Sequence, residues 1–418
     1  MENGPPRGTR DLLPEAVAKR EAVIAELAKS YGRFGFRRLE TPCIEDINRL
    51  SWGEGGDNEK LIYRILRRGL DPVVPTGTEL SELIDLGLRY DLTVPLTRFY
   101  ANNAGRLASP FRAMQIGPVW RAERPQRGRF RQFTQCDIDT IDEPSVLAEC
   151  ELLEATLAAL AAIGIDRVTV RVNDRRLLAA IAGESGVPPE LLGGFFVTLD
   201  KLDKSGWDGV KAELLERGYP EAAAERSEWV VRTLSGEGTV AEVLDRAADL
   251  LPGMSEAVLE DLRTTFGALS GLEAVGTTSS SRLDVTVVRG MGYYTGQIFE
   301  IAHPDAPSSI AGGGRYDGLV GRSLGKQVPA CGISIGFDRV VDMARFDSPD
   351  LGVAVLYSDQ AVRDVLAAAR AVRASGRSAA LVVRKGQMKL QLDALKAEGY
   401  TSFVVLDGDS VSEERVLD

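Results

Sequence analysis

The sequence predicts an α+β fold: an antiparallel sheet flanked by helices, interrupted by a helical insertion and followed by a small C-terminal α/β domain. The stretch 111–139 has the alternation and the central breaks of a long hairpin. From about 183 to 272 the chain is rich in Glu, Ala and Leu at helical spacing, and from Leu351 short apolar strands alternate with helical runs. Because 418 residues exceed what one core usually holds, we predict domain boundaries at 1–182, 183–272, 273–346 and 347–418.

Composition excludes several classes of protein. The net charge of −11 disfavours nonspecific nucleic-acid binding, and no apolar run approaches the roughly twenty residues of a membrane span. The N-terminal stretch lacks the hydrophobic region of a secretory signal, so we expect a cytoplasmic protein without membrane contact. Cys43, Cys136, Cys150 and Cys331 are scattered and His303 is the sole histidine, which argues against a protein-bound metal and favours a reducing compartment.

The first elements along the chain are a helix and a strand. The helix opens at Pro14 and is closed by Gly32 and Gly35, and the strand runs from Arg37 to a stop at Pro42. By itself this pair indicates only core packing.

Asp91 and Thr93 lie in a stretch, 88–100, that begins as a strand and becomes a helix near Pro95. At strand spacing the two side chains share a face, which suits the binding of an ammonium group. Either residue could instead cap the helix that follows, and locally this is the simpler interpretation.

The hairpin is predicted as strands 114–120 and 130–138, with a loop that contains Pro125 and Gly128. The hairpin stretch is dense in arginine, and the planar donors of arginine fit phosphate best. Its arginines are Arg112, Arg121, Arg124, Arg127, Arg129 and Arg131. Gln135, Asp137 and Asp139 recur at period two and therefore face one side. The pattern favours a substrate with phosphate and with an amine or imidazole, although a solvated edge hairpin explains the charges equally well.

The second half of the chain resumes the strand pattern after the helical insertion. A strand begins at Leu283, with Val285, Val287 and Arg289 alternating, and another strand covers 298–302. The run of small residues 311–314 permits close backbone approach to a ligand. Arg339 falls in the first turn of a helix, where the helix dipole disfavours a cation, so we expect an anion to hold it. His303 is interpreted as a surface or loop histidine.

The C-terminal domain is predicted as strands 353–357, 379–383 and 402–406 alternating with helices 361–374 and 387–398. From Asp350 onward the chain contains nine Lys or Arg residues and ten Asp or Glu residues, so its charge is near neutral. This balance gives no independent sign of RNA binding.

Five stretches together resemble the histidyl-tRNA synthetase family of class II aminoacyl-tRNA synthetases, from about Gly8 nearly to the end. The helix and strand ending at Pro42 resemble class II motif 1, the dimer-forming element. W-R-A-E-R-P-Q-R-G-R-F-R-Q-F-T-Q resembles motif 2, and G-I-S-I-G-F-D-R resembles motif 3. L-R-Y-D-L-T-V-P is similar to the first histidine signature, and R-G-M-G-Y-Y-T-G with A-G-G-G-R-Y-D-G-L is similar to the second.

The resemblance implies a class II antiparallel sheet in a catalytic domain of two parts, 1–182 and 273–346, and an anticodon-binding-like domain at 347–418. It implies L-histidine, ATP with Mg²⁺ and tRNA-His as substrates, a homodimer, and no prosthetic group. Catalytic and ATP-binding roles fall on Arg289, Arg121, Arg339, Glu123 and Phe133. Histidine-binding roles fall on Asp91, Thr93, Gln135, Asp139, Tyr293 and Tyr294, and contacts to the tRNA acceptor end fall on Arg124, Gln126 and Arg129.

Two departures from the family pattern leave alternatives open. Gly292 stands where most members have Asp, so we expect altered surroundings of the site while Arg289, Tyr293 and Tyr294 are kept. The C-terminal domain is expected to be shortened. The alternatives are a non-aminoacylating relative, such as a regulatory subunit of ATP phosphoribosyltransferase, or an enzyme that activates histidine for an acceptor other than tRNA.

Overall fold

The structure is a computed structural model that describes residues 3–51, 61–71, 73–124, 130–271, 279–288, 292–346, 350–407 and 410–417. The chain divides into two compact units. The first unit comprises Met1–Arg10 and Ile24–Arg345, and the second comprises Asp11–Val23 and Phe346–Asp418. The four predicted domain ranges remain a prediction, because the two compact units do not correspond to them one by one.

Within the described residues of the first unit, eleven strands form two sheets. Their bounds are β1 (Arg37–Arg38), β2 (Ile44–Asp46), β3 (Arg64–Leu66), β4 (Ile84–Leu88), β5 (Phe111–Trp120), β6 (Gln132–Ile141), β7 (Val168–Asp174), β8 (Ser279–Leu283), β9 (Gln297–Ala302), β10 (Ala311–Arg315) and β11 (Ala330–Ile335). The large sheet has the order β1-β5-β6-β11-β10-β9-β7-β8, and the small sheet has the order β2-β4-β3. All pairs in the large sheet are antiparallel except β1 with β5 and β7 with β8.

Helices flank the large sheet. The helices that lie between β7 and β8 in the chain form the helical segment. The helix bounds are α1 (Pro14–Arg33), which runs from the second unit into the first, α2 (Ile47–Leu50), α3 (Leu80–Leu83), α4 (Thr93–Asn103), α5 (Leu147–Ala162), α6 (Arg175–Glu184), α7 (Leu192–Leu199), α8 (Leu202–Glu216), α9 (Glu221–Leu234), α10 (Val240–Leu250), α11 (Glu256–Leu269), α12 (Asp317–Leu324) and α13 (Phe337–Met343). Short 3₁₀ turns cover Ala104–Arg106 and Pro189–Leu191.

The two longest strands of the large sheet form the hairpin β5–β6, which is longer than predicted. Its register runs from Phe111 opposite Ile141 to Trp120 opposite Gln132. Among the described arginines of this stretch, Arg112 lies within β5, whereas Arg121, Arg124 and Arg131 lie outside the two strands. Most of β6 is buried because β5 and β11 cover both of its edges.

Side-chain caps begin two of the helices in the segment between β7 and β8. Asp174, the last residue of β7, accepts a hydrogen bond from the backbone of Arg176 and so begins α6. Thr239 and Glu242 form a capping box that begins α10. The strands β7 and β8 on either side pair in parallel, so the helices act as a crossover connection.

The second unit contains a parallel three-stranded core. Its strands are β12 (Val353–Tyr357), β13 (Ala379–Val383), β14 (Ser402–Asp407), β15 (Ser410–Val411) and β16 (Arg415–Val416), and its helices are α14 (Val362–Ala374) and α15 (Met388–Glu398). The order is β13-β12-β14-β15, and β16 also pairs with β14. Alternate residues of β12 pack on the two sides, Val353 and Val355 in the cluster that includes α14, and Ala354 and Leu356 in the cluster that includes α15.

The strand predicted from Leu283 was wrong: Val285 and Val287 lie in a turn after β8, because the backbone of Val287 bonds back to Asp284. The small residues 311–314 belong to a buried strand, β10, between β9 and β11. His303 lies in the loop after β9, one of the two places predicted for it, but it is buried there, and its Nδ1 accepts a hydrogen bond from the backbone of Asp305. None of the helices in the described part of the chain combines the length and the apolar character that a bilayer crossing requires.

Candidate active site

A cavity of about 300 Å³ opens over the middle of the large sheet. The strands β6, β10 and β11 and the starts of α4 and α13 supply much of its lining. The lining residues are Asp91, Thr93, Arg121, Glu123, Phe130, Phe133, Thr134, Gln135, Asp137, Asp139, Tyr293, Tyr294, Ser309, Ile310, Ala311, Gly312, Tyr316, Gly332, Ile333, Ser334, Gly336, Asp338 and Arg339.

Strand β6 supplies three polar side chains to this cavity. Gln135, Asp137 and Asp139 alternate along the strand, and all three line the cavity and are buried. The amide of Gln135 donates to the hydroxyl of Ser334 on β11 at 2.9 Å. Gly332 lies opposite Asp139 on β11, and a Cβ atom at that position would collide with the Asp139 carboxylate. The glycine therefore makes room for the acid.

Asp91 serves two roles that the sequence offered as alternatives. Its Oδ1 accepts a hydrogen bond from the backbone of Val94 at 3.0 Å, in the first turn of α4. Its side chain also lines the cavity, together with that of Thr93. One carboxylate oxygen is thus used by the helix and the other remains for a ligand.

Three tyrosines line the cavity, and one of them contacts Asp139. The hydroxyl of Tyr316 donates to Asp139 Oδ1 at 2.6 Å. The rings of Tyr293 and Tyr294 lie 4.9 Å apart, and the ring of Tyr293 packs edge-on against Tyr316 at 5.9 Å. The aromatic walls and the carboxylate together form a slot suited to a flat, polar ring.

Three buried oxygen atoms in the cavity lack a hydrogen-bond partner among the described residues. They are Oδ2 of Asp91, Oε1 of Gln135 and Oδ2 of Asp139. A buried acceptor without a donor costs about 1–3 kcal/mol, and such groups in native proteins are rare. The cavity is therefore built for a ligand that carries several N–H donors.

Burial raises the pKa values of the carboxyl groups in this cavity. The pKa of Asp91 rises to about 6, although the backbone of Val94 and the charge of Arg121 oppose the shift. Burial also raises the pKa of Asp139 to about 7, opposed by the hydrogen bond from Tyr316. The pKa of Asp137 lies well above its usual range because of burial and the neighbouring Asp139 charge. A cationic ligand would relieve this cost.

The other part of the cavity is lined by arginine and aromatic side chains. Arg121 donates through Nε to the Tyr90 carbonyl at 3.0 Å, and its guanidinium lies 5.1 Å from the ring centre of Phe133. Arg339 enters from α13 and donates through Nη1 to the Ser309 carbonyl at 2.6 Å. Two fixed cations from distant parts of the chain thus line one cavity, an arrangement suited to a polyphosphate.

The structure brings together ten of the residues that the sequence singled out: Asp91, Thr93, Arg121, Glu123, Phe133, Gln135, Asp139, Tyr293, Tyr294 and Arg339. Arg124 is exposed and does not line the cavity. Arg289, Gln126 and Arg129 lie outside the described residues.

Sequence reasoning assigned no site role to several lining residues, among them Tyr316, Ser334 and Asp338. Tyr316 lies within the A-G-G-G-R-Y-D-G-L stretch, and this position was the available signal for it. Ser334 and Asp338 lie within the G-I-S-I-G-F-D-R stretch, which was the available signal for them, and the pairing of β11 with β6 brings them to the site. Within the described ranges, no cluster of three His, Cys, Asp or Glu side chains is arranged to hold a metal ion.

A mostly antiparallel sheet with this cavity at its centre has the catalytic fold of the class II aminoacyl-tRNA synthetases, which are ATP-dependent ligases. The family described as histidyl-tRNA synthetase matches residues 8–340. A histidine–tRNA ligase of Leifsonia xyli is 45% identical over 421 residues, covering 97% of this chain and 96% of that protein. One of Aeropyrum pernix is 38% identical, covering 94% of this chain and 86% of that protein.

Solved structures agree with these matches. A histidyl-tRNA synthetase from Nostoc sp. superimposes with a TM-score of 0.76 and 25% identity, covering 100% of this chain and 98% of that chain. A Bacillus halodurans protein described as an ATP phosphoribosyltransferase regulatory subunit/histidyl-tRNA synthetase also reaches 0.76, at 21% identity, with coverage of 98% and 99%, and shows the fold alone. The chain belongs to the histidyl-tRNA synthetase family. The predicted fold class and the family resemblance are confirmed.

Proposed function

We propose that this protein activates L-histidine with ATP to histidyl-adenylate and then transfers the histidyl group to tRNA-His. One observation carries the proposal: three buried acceptor atoms that have no donor among the described residues line the same cavity as two arginines from distant elements. A substrate that joins an ammonium group and an imidazole to a phosphate would donate to these acceptors and pair with the arginines. The relatives, which are named histidine–tRNA ligases, point to the same reaction.

The amino acid would bind at the carboxylate part of the cavity. Its ammonium group would meet Asp91, Thr93 and Gln135, and the oxygen atoms of Asp91 and Gln135 that have no partner among the described residues would accept its donors. Its imidazole would lie between Asp139 and Tyr294, with Tyr293 beside it. A site that pairs both ring nitrogens rejects isosteric side chains, because these would leave its buried polar groups unsatisfied.

ATP would bind at the nucleotide end of the cavity, which we define by Arg121, Glu123, Phe133 and Arg339. Arg121 would hold the α-phosphate, Arg339 the γ-phosphate, and Phe133 would stack on the adenine near Glu123. Mg²⁺ would enter as part of the ATP complex and offset the charge of its phosphates, and we assign no protein side chain to it.

Arg289 is proposed at the junction of the histidine carboxylate and the α-phosphate. Its fixed charge would stabilise the negative charge that develops as the carboxylate oxygen attacks phosphorus and pyrophosphate leaves. In the second step the terminal ribose hydroxyl of the tRNA would attack the activated carbonyl, and AMP would leave. Positioning and charge supply most of the acceleration in such transfers, so little acid–base chemistry is required of the protein.

The tRNA acceptor end would approach from the mouth of the cavity. Arg124 is exposed just beyond β5, where a phosphate or base could reach it. Gln126 and Arg129 follow in the same connection and are proposed as its partners in this contact. An exposed arginine suits a large ligand better than a buried small one.

We also propose that the protein forms a homodimer through its small sheet. One face of this sheet presents Ile44, Ile65, Leu86 and Leu88, because these residues lie opposite or two positions from one another in the register. Ile44 is 47% exposed and Leu86 is 37% exposed. An apolar face of this kind favours cover by a second copy of the chain. The four free cysteines suit a cytoplasmic location.

The test is histidine-dependent exchange of pyrophosphate into ATP, followed by charging of tRNA-His. We expect both activities, with exchange absent when histidine is replaced by other amino acids. Exchange without charging would favour an acceptor other than tRNA. Neither activity would favour a regulatory subunit and would refute the proposal.

A further inference from the structure

The N-terminal segment 6–10 lies against the nucleotide end of the cavity and has no part in the reaction proposed above. The backbone nitrogen of Arg131 donates to the carbonyl of Gly8 at 2.7 Å, and its Nη1 donates to the carbonyl of Arg7 at 3.3 Å. Arg131 directly precedes β6, so these hydrogen bonds connect the segment to the start of the second strand of the hairpin β5–β6.

The same arginine ties the segment to the other side of the hairpin. Arg131 Nε donates to the carbonyl of Glu123 at 3.1 Å, and the carbonyl of Arg131 accepts from the backbone of Arg121 at 2.8 Å. Arg121 and Glu123 both line the nucleotide end. The N-terminal segment is therefore joined, through one residue, to the two residues we assign to ATP.

Arg10 reaches further into this region with its side chain. Its guanidinium carbon lies 4.2 Å from the ring centre of Phe130, and Nη2 donates to Asp338 Oδ1 at 2.8 Å. The second oxygen of Asp338 accepts from the backbone of Thr134 at 3.0 Å. Phe130, Thr134 and Asp338 all line the cavity, and Asp338 directly precedes Arg339.

We propose that Arg10 is a positioning residue for ATP, which rests on the function proposed above. A planar guanidinium can stack on a ring with its face while its edge pairs with a carboxylate. Arg10 thereby fixes Phe130, at the end of the hairpin connection, relative to Asp338, at the start of α13. This holds the two walls of the nucleotide end at one separation, and Arg10 itself does not touch the substrate.

The test compares Arg10→Ala with Arg7→Ala. Arg7 is the matched control because it removes the same charge from the same segment while its structural contact runs through the backbone carbonyl. We expect Arg10→Ala to weaken ATP about fivefold, in the KM of pyrophosphate exchange and in the dissociation constant from calorimetry, since it removes one cation–π contact and one ion pair. The KM for histidine should stay within about twofold, and Arg7→Ala should match the wild type.

Arg10→Lys separates positioning from a general structural role. Lysine keeps the charge and loses the planar stacking, so it should recover part of the ATP affinity. Equal losses for ATP and histidine, unchanged ATP affinity in Arg10→Ala, or an equal loss in Arg7→Ala would each overturn the inference. A wild type without exchange would refute the proposed function instead, and ATP calorimetry would still decide the role of Arg10.

Discussion

Asp139 gains its properties from two neighbours and from its burial. Tyr316 donates to one of its oxygen atoms, Gly332 leaves the space that the carboxylate occupies, and burial raises its pKa to about 7. Its other oxygen has no partner among the described residues. The residue is thus held in one orientation with one acceptor aimed at a ligand.

We expect Asp139→Ala to raise the KM for histidine about a hundredfold and to change the KM for ATP less than about threefold, because only the imidazole loses its partner. Steady-state pyrophosphate exchange with each substrate varied checks this. Asp305→Ala, at an exposed position outside the cavity lining, is the control. Equal losses for both substrates would mean that the histidine pocket is misassigned.

Asp137 allows a prediction about pH. Burial and the Asp139 charge raise its pKa, so the folded protein holds this proton more tightly than the unfolded chain does. The cost of the carboxylate therefore grows as the pH rises above its unfolded pKa of about 4. Asp137→Asn removes the charge and keeps the shape, so ligand-free protein should gain about 1–3 kcal/mol at pH 8 and almost none near pH 4.

Denaturant unfolding of the two proteins at several pH values measures this difference. Asp305→Asn serves as the comparison, since its side chain is 67% exposed. A stability difference that is the same at pH 8 and at pH 4–5 would contradict the assigned cause.

At the residue level, the sequence could predict side chains that share a strand but not those that meet across strands. Gln135 and Asp139 follow from period two along β6, a local rule. The contacts of Gln135 with Ser334 and of Asp139 with Tyr316 join positions 199 and 177 residues apart. Such contacts depend on strand register, which a single sequence leaves open. The orientation of His303 depends likewise on a turn that only the structure shows.

One element-level feature supports the site from behind. Arg315, at the end of β10, donates through Nε and Nη2 to the two oxygen atoms of Glu149 in the first turn of α5. Both side chains are buried, and Arg315 also donates to the carbonyls of Glu143 and Ser145. Since Arg315 precedes Tyr316, the pair holds the strand that presents Tyr316 to Asp139.

We expect Glu149→Ala to destabilise the protein by about 3–5 kcal/mol, because the buried Arg315 charge loses its two-point carboxylate partner and keeps only the longer contact with Asp317 at 3.3 Å. The double variant Glu149→Leu with Arg315→Met should recover much of this loss, since it removes both charges. Guanidinium unfolding followed by circular dichroism gives the free energies. A double variant less stable than Glu149→Ala would contradict the explanation.

Elements with a simple pattern were predictable, and those shaped by side-chain hydrogen bonds were not. The bounds of β12 and β13 agree with the predicted ones, because short apolar strands between helices leave few alternatives. The stretch after β8 alternates like a strand, yet Asp284 accepts from the backbone and hydroxyl of Thr286 and bends the chain. An Asx-type turn of this kind overrides apolar alternation.

At the scale of the whole molecule, the small sheet should control assembly. We expect Leu86→Asp to convert a dimer into a monomer, because it places a charge on the apolar face that carries Ile44 and Leu88. Analytical ultracentrifugation measures the mass. Leu390→Asp, at a position 66% exposed in the second unit, is the matched control and should leave the mass unchanged. A monomeric wild type would refute the homodimer.

The pairing of β6 with β11 also has a consequence for synthesis on the ribosome. Gln135 and Ser334, which meet in the finished cavity, are 199 positions apart, and chains emerge at about 5–20 residues per second. During synthesis, β6 therefore remains without its partner strand β11 for a time on the order of ten seconds. Until then neither histidine nor ATP has a pocket to enter, so substrates can stabilise the released protein but cannot guide its early folding.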